Sequence, residues 1–479
     1  MTKQDYDAVV VGSGPNGLAA AIVLQQAGLS VLLLEGKDRI GGGLQTEELT
    51  LPGYFHDTCS AIHPMAVSSP FFRTLPLKEH GLEWIDPPLA LAHPFDDGTA
   101  VAVYASAEET ARSLGKDQQA YLHLMKPLLE DWPLIAEDVL APLHFPKHPV
   151  AMAGFGLKAL CSATRLSRRF ETGKAKGLWA GLAAHSLLPL DKLGTAAIGL
   201  VLLTAAHMRG WPLPKGGSVM IAKALASYFI SLGGKIETNC YVDSLDKIPA
   251  SPAVLFDVTP KQLLQIAGQR FSTLYQWQLN KYRYGMGVFK IDWALDGPIP
   301  FVAAECRQAG TIHIGNSFRE ISEGEQATWN GTAAARPFTL LAQQSLFDAS
   351  RAPAGKQTAW AYCHVPNGSV EDMTDAIEKQ VERFAPGFRD RVLARHTMNT
   401  AQMEAYNPNY VGGDIGGGAV DIGQLFTRPA LRSSPYRTSA KGLYICSSST
   451  PPGGGVHGMC GYHAARRALK DIFNINNSS

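Results

Sequence analysis

No two of the seven cysteines (Cys59, Cys161, Cys240, Cys306, Cys363, Cys446, Cys460) form a C-x-x-C pair. The spacing on which zinc sites and iron–sulfur clusters are built is missing, so no metal is expected. Thiols this scattered and odd in number fit a reducing compartment, and a cytoplasmic protein is expected. Neither sign of charge is in excess. Lys and Arg number 43 against 42 Asp and Glu, a net of +1, which argues against a nucleic-acid partner. Long apolar runs are absent too. The longest, GTAAIGLVLLTAA at 194–206, falls well short of the roughly 20 residues that span a bilayer, and Pro189, Asp191 and Lys192 stop its extension. The opening MTKQDYDAVVVGSG does not read as a secretory leader, because acids precede its short apolar stretch. No internal repeat or low-complexity segment occurs, and nothing in the chain sets an oligomeric state.

Glycine is what the sequence has, in two clusters near its ends. A chain of 479 residues, 46% hydrophobic, is expected to fold as two or three globular domains. In DYDAVVVGSGPNGLAAAIVLQQAGLSVLLLEG, the run Ala8–Val11 predicts a strand buried on both faces. Gly12, Gly14 and Gly17 follow as G-x-G-x-x-G: a tight turn, a close approach to a pyrophosphate, and close helix–strand packing. A helix over about 16–26 would turn its N-terminal amides, with Pro15 and Asn16, toward phosphates. Val31–Leu34 predicts the second strand, and Glu35, followed by Gly36, ends it where a carboxylate accepts from ribose hydroxyls. Glu35 also opposes a 2′-phosphorylated ligand. An ordinary glycine-rich turn in a βαβ unit is the plainer alternative, and the motif alone does not separate FAD from NAD.

The next residues, GKDRIGGGLQTEELTLPGYFHD, carry Arg39, Gly41, Gly42, Gly53 and Asp57. This stretch resembles the R-x-G-G segment and downstream G-(F/Y)-x-x-D of FAD enzymes in the amine oxidase and phytoene desaturase superfamily. It departs at Gly43, where amine oxidases commonly have a second arginine, so one cationic partner of the diphosphate is missing. A flexible surface loop is the alternative.

At the other end, GLYICSSSTPPGGGVHGMCGYHAA reads as a short strand (443–446), a glycine-rich bend and a helix over 458–470. It resembles the C-terminal signature of the phytoene desaturase-related flavoproteins and is similar to the subgroup containing pyridine nucleotide-disulphide oxidoreductase domain-containing protein 2. NPNYVGGDIGGG (407–418) and QLFTRPALRSSPYRT (424–438) strengthen that likeness, which covers nearly the whole chain. The resemblance implies an α/β fold: a Rossmann-like FAD-binding domain of GR2-type flavoproteins (1–75, 215–268, 401–479) and a discontinuous α+β substrate domain (76–214, 269–400). It implies FAD held by both glycine loops, with Ser448, Ser449, Gly455, Val456, Gly458 and Met459 along the ribityl chain and ring and the Val242 backbone against adenine. Many relatives have a G-D pair where Ser447–Ser449 stand, so a carboxylate role is lost. GGKIETNCYVDSL (233–245) is expected to form two strands, and PAVLFDVTPKQLLQIAG a strand and a helix with Thr259 as N-cap.

In the middle, Met152, Phe155, Ala159, Ala163, Leu166 and Phe170 share one face of a helical wheel, and Lys158, Arg165 and Arg169 another. This predicts either a helix packed on the substrate domain or a basic amphipathic helix in peripheral contact with a membrane. The 194–206 run is expected to form a core helix or to line a tunnel, and Gly216 and Gly217 to approach the flavin. The implied activity is that of an FAD-dependent oxidoreductase, a phytoene dehydrogenase-like dehydrogenase or desaturase that passes hydride from a hydrophobic small molecule, a polyene or isoprenoid, to flavin N5. His457 and His63 are the candidate proton acceptors, and structural histidines the plainer alternative. No second dinucleotide fingerprint occurs, so oxygen, a quinone or another acceptor is expected as reoxidant. A flavin amine oxidase and a flavin-bound, non-catalytic scaffold are the alternatives.

Overall fold

The computed structural model describes residues 6–475. Five short strands form a parallel sheet in the order Leu443–Ile445, Ala253–Phe256, Ala8–Val11, Val31–Leu34, Lys235–Glu237. Strands from three distant chain segments therefore lie side by side, and Leu443–Ile445 joins at one edge by pairing with Ala253–Phe256. Alternation divides the sheet into two cores. Ala8, Val10 and Leu33 pack under the helices Pro15–Gln26, Val219–Ser231 and Met459–Ile472. Val9, Val11, Leu32 and Phe256 pack under Pro260–Ala267 and Thr273–Asn280. The Thr273–Asn280 helix, placed by sequence in a substrate segment, thus belongs to the nucleotide sheet through Tyr275 and Leu279.

The first and last helices touch backbone to backbone. A Cβ on Gly461 would fall on the carbonyl oxygen of Asn16, and one on Gly17 on that of Gly12. Only glycine allows either approach.

A second sheet of seven strands runs Val392–Met398, Gly287–Leu295, Gln357–Val365, Thr339–Ala342, Ala309–Ile314, Leu89–Pro94, Ala100–Val103. All pairings are antiparallel except that of 309–314 with 89–94. One face, with Ile291, Trp293, Ala359 and Ala361, packs on the helix Thr374–Phe384. The opposite face carries Val288, Leu340, Trp360 and Tyr362. Much of the helical layer, between 107 and 209, forms a core of its own around Trp132, Trp179 and Trp211.

Three sequence expectations change. The basic stretch is three helices, Pro149–Ala159, Ala163–Ser167 and Gly173–Ala184, rather than one. Ser162 and Thr172 break it, because each side chain caps a new helix by accepting from Arg165 N (3.1 Å) and Ala175 N (3.2 Å). The stripe Phe155, Ala159, Ala163, Leu166, Phe170 is still buried in one core. In 233–245 only Lys235–Glu237 is a strand; Asn239 turns into the left-handed region (φ 58°), and the chain continues beside Glu35 without a ladder. Thr259 precedes its helix as expected, but its hydroxyl bonds Gln262 instead of a backbone amide.

Gly461→Ala is expected to lower the melting temperature by several degrees or to leave the protein insoluble. Gly154→Ala, where nothing lies within 4 Å of the added methyl, should hold or raise it, a gain of up to about 1 kcal/mol from helix propensity. Thermal unfolding of the two variants checks the contrast.

Candidate functional site

One cavity of about 1350 Å³ runs between the two sheets and is bordered by both glycine loops. At one end its wall is Gly12, Gly14, Pro15 and Asn16 with Glu35, Gly36 and Val242; Gly42, Gly43, Ser448, Gly455 and Val456 continue it. Asn16 Nδ2 reaches Ser448 Oγ at 3.4 Å, so the head and tail loops meet at this wall. Glu35 is held in place from two sides: Oε2 accepts from Ser13 N (2.9 Å) and Oε1 from Lys37 N (3.0 Å). Glycine at position 14 leaves room beside Asp257, whose Oδ2 would lie 2.7 Å from an added Cβ, and Gly42 has φ 59° with Gly14 Cα 3.1 Å from its own would-be Cβ.

Other predicted residues stand behind that wall. Gly17, Gly41, Ser449, Gly458 and Met459 do not border the cavity. Gly41 packs on Ala222, Gly458 on Phe72, and Ser449 Oγ donates to Gly417 O at 2.7 Å. They shape the loops that do border it. Arg39 turns outward to Glu47 (3.0 Å) and away from the expected diphosphate. Tyr410 lies against Gly43, the position at which the resemblance implies an arginine, its hydroxyl occupying the place of a Cβ. Gly216 and Gly217 also miss the cavity; Gly217 closes on Thr46 instead. Asp57 is buried, pairs with Arg351 at 2.8 Å and accepts from Ser218 N at 2.8 Å, which anchors this turn.

Two charged residues at the wall escaped the sequence reading. Arg428 is 1% exposed and borders the cavity. Its Nε donates to Ser449 O (3.2 Å) and its Nη2 to Ser448 O (2.7 Å), while Nη1 has no partner and no carboxylate pairs with it among the described residues. A buried guanidinium without a counter-ion is costly, so this atom suits an anionic group. The R-P pair lay inside a segment already singled out for its resemblance. Asp257, also at the wall, accepts from Gly17 N at 2.9 Å. Burial first, then the nearby Glu35, pushes its pKa up to about 7.

The two candidate histidines border the cavity but are held neutral. Burial lowers each to about 4. His63 Nε2 bonds Ser218 Oγ (2.8 Å), which donates onward to Ser60 O (2.5 Å). His457 Nδ1 accepts from Met459 N at 3.0 Å. Neither has a carboxylate partner among the described residues.

Away from the loops the wall turns apolar: Met152, Phe155, Leu160, Ile198, Val201 and Leu202 from the helices, with Val288, Leu340 and Trp360 from the seven-stranded sheet. The 194–206 run, helix Thr195–Arg209, thus contributes both to the core and to the cavity. Lys290 is the cation of this arm; it is buried and bonded to Asp292.

A parallel nucleotide sheet joined to a large, mostly antiparallel one, with a long cavity between, is an α/β architecture with a Rossmann-like dinucleotide-binding domain. The family model for the NAD(P)-binding Rossmann-like domain matches residues 10–75. The chain is 27% identical to pyridine nucleotide-disulfide oxidoreductase domain-containing protein 2 of Rattus norvegicus, over 99% of this chain and 95% of that protein. It is 25% identical to a lycopene-forming phytoene desaturase of Pseudescherichia vulneris, over 96% and 98%. An oxidoreductase from Methanosarcina mazei shares the fold at a TM-score of 0.67 with 16% identity, over 96% and 99%. The chain is homologous along nearly its whole length to phytoene desaturases and to pyridine nucleotide-disulfide oxidoreductase domain-containing protein 2, and it is an FAD-dependent oxidoreductase.

Asp257 gives a pH test. Its raised pKa means that its contribution to stability is present below about pH 4 and lost as pH rises through about 7. Denaturant unfolding of the apoprotein at pH 5 and pH 8 is expected to show that loss, and Asp257→Asn to reduce it.

Proposed function

We propose that this enzyme withdraws hydride from an apolar organic molecule of polyene or isoprenoid type, held in the apolar arm of the cavity beside FAD. The observation that carries the reading is the division of one cavity into a glycine- and amide-lined end and an apolar end. In this proposal segments 1–75, 215–268 and 401–479 hold the cofactor, and 76–214 and 269–400 the substrate. Gly12, Gly14, Pro15, Asn16, Glu35, Gly36 and Val242 would take the adenosine and diphosphate, and Gly42, Gly43, Ser448, Gly455 and Val456 the remainder. Gly17, Gly41, Ser449, Gly458 and Met459 would shape that cradle from behind.

When bound, FAD supplies the oxidant, a ring that accepts hydride at N5. The chain contributes binding, orientation and exclusion of water. Arg428 supplies the positive charge that Gly43 lacks. His63 and His457, neutral and fixed by hydrogen bonds, serve as positioning groups, since a base of pKa about 4 has little driving force near neutral pH. An amine substrate fits less well. Asp138 is the carboxylate bordering the apolar arm, and it is already bonded to His144 Nε2 (2.8 Å) and Lys147 N (3.0 Å).

The route of entry follows from the same arm. Leu143, Phe145, Val150 and Leu157 are 79%, 85%, 88% and 78% exposed, and Leu143, Pro146, Met152 and Leu160 of this segment border the cavity. An exposed apolar cluster beside Lys158 and the exposed Arg165, Arg168 and Arg169 suits peripheral contact with an anionic membrane surface.

The purified protein is expected to be yellow, and Arg428→Met to carry less than about a tenth of the wild-type flavin, a loss in line with an unmade charge-assisted bond, with Arg428→Lys intermediate; flavin per chain after gel filtration measures this. Anaerobic addition of polyenes or isoprenoids should bleach the flavin. Bleaching by primary amines alone would transfer the assignment to the amine oxidases, and bleaching by neither would leave a scaffold. Phe145→Asp with Leu157→Asp should abolish co-sedimentation with phosphatidylserine-containing vesicles while flavin content is unchanged.

A further inference from the structure

The apolar arm is not uniformly apolar: four hydrogen-bond donors on or above one patch of its floor have no protein partner among the described residues. The floor is the face of the seven-stranded sheet that carries Thr311, Leu340, Trp360, Tyr362 and Lys290. Register places these residues. Thr311 pairs with Ala342 and Ala342 with Trp360, so Thr311 and Trp360 stand in one row, two strands apart. In the next row His313 pairs with Leu340 and Leu340 with Tyr362. With strands about 4.8 Å apart, the hydroxyl of Thr311 and the rings of Trp360 and Tyr362 share a patch roughly two strands wide.

Thr311 Oγ1 and Trp360 Nε1 are buried and have no hydrogen-bond partner, in residues only 1% and 5% exposed. The Tyr362 hydroxyl likewise has no protein partner among the described residues. The fourth donor comes from the helix above. His185 borders the cavity, and its Nε2 lies 2.9 Å from His313 Nε2. His313 Nδ1 is buried, unpartnered and pressed toward Gly181, where an added Cβ would be 2.8 Å away. A ring nitrogen with no acceptor in reach is better left without a proton, so His313 carries its proton on Nε2 and donates to His185. His185 then holds its own proton on Nδ1, the nitrogen left free for the cavity. Trp211 braces both rings, at 6.0 and 6.1 Å.

A pure hydrocarbon lying on this patch would leave every one of these donors unmet, an arrangement that native proteins avoid. We propose that the molecule bound here carries a neutral carbonyl oxygen, as a ketone or aldehyde on an apolar skeleton, and that this oxygen, which accepts about two hydrogen bonds, takes them from among Thr311, Trp360, Tyr362 and His185. Trp Nε1–H only donates, which selects an acceptor on the ligand. A carboxylate is disfavoured because Lys290, the cation of this arm, is already bonded to Asp292. The inference rests on the apolar-substrate reading above and narrows it.

The test uses the FAD-loaded protein and two probes of one skeleton: geranylacetone, and the hydrocarbon in which a methylene-type carbon replaces its carbonyl. Calorimetric titration should show the ketone binding about tenfold tighter or more, the scale of one net hydrogen bond, with its carbonyl stretching band moved to lower frequency in the infrared. Trp360→Phe combined with Thr311→Val should bring the two affinities together without weakening the hydrocarbon, and Tyr362→Phe, which removes a single oxygen, should lower the preference in part. Melting temperature and flavin content establish that each variant is folded. Equal binding of both probes by the wild type, with an unshifted band, would overturn the inference: the donors would then be served by water. An unchanged preference in the variants would overturn it as well. If neither probe binds while flavin stays bound, the apolar-substrate reading itself falls, and this inference with it.

Discussion

Backbone contact between the first helix and the last sets the geometry around the five-stranded parallel sheet. Gly461 lies so close to the carbonyl of Asn16 that any side chain would part the two helices. Because they touch, the loops that precede them meet, and the strand Leu443–Ile445 completes the sheet begun at Ala8. A cavity closed by two loops more than four hundred residues apart is a consequence of this packing. Neither loop encloses a ligand of FAD's length alone, since a single βαβ corner accommodates only its nucleotide end.

Electrostatics at that junction are finely opposed. The first helix turns an N-terminus toward the cavity, with roughly half a positive charge in the usual estimate. Arg428 adds a full one, buried and without a carboxylate partner among the described residues. Against these stand Glu35, occupied by Ser13 and Lys37, and Asp257, whose carboxyl is pushed toward neutrality. The balance favours an anion between the loops. On the proposed reading Arg428, from a segment near the C-terminus, stands in for an arginine at position 43, where Tyr410 fills the space beside the glycine.

The apolar arm is built on another principle. Helices between 107 and 209 pack through their own core, and Phe155, Ala159 and Leu202 serve that core and the cavity wall at once. The sheet face supplies the floor, and alternation along its strands separates packing residues such as Ile291 and Trp293 from cavity residues such as Lys290 and Trp360. Burial holds His63, His185 and His457 in their neutral forms, which makes them hydrogen-bonding groups rather than bases.

The nucleotide corner was legible from the order of residues alone. Its strands stood out as continuous apolar stretches, beginning with Ala8–Val11, and the glycines at 12, 14 and 17 were legible because tight turns and close approaches exclude side chains locally. The same local logic located the second corner at 447–458. Contacts whose partners lie far apart in the chain were another matter, and folding alone settled them. Arg39 and Arg428 are both arginines beside a glycine or proline motif, yet one faces Glu47 and the other the cavity. Gly216 and Gly217 looked like a cofactor approach, and Gly217 instead closes on Thr46. The breaks at Ser162 and Thr172 depended on hydroxyls choosing a backbone amide over solvent, and the row joining Thr311 to Trp360 depended on strand register. Local sterics are written in neighbouring residues; the direction a charge or a donor faces is set by what packs around it, and that is known only once the chain has folded.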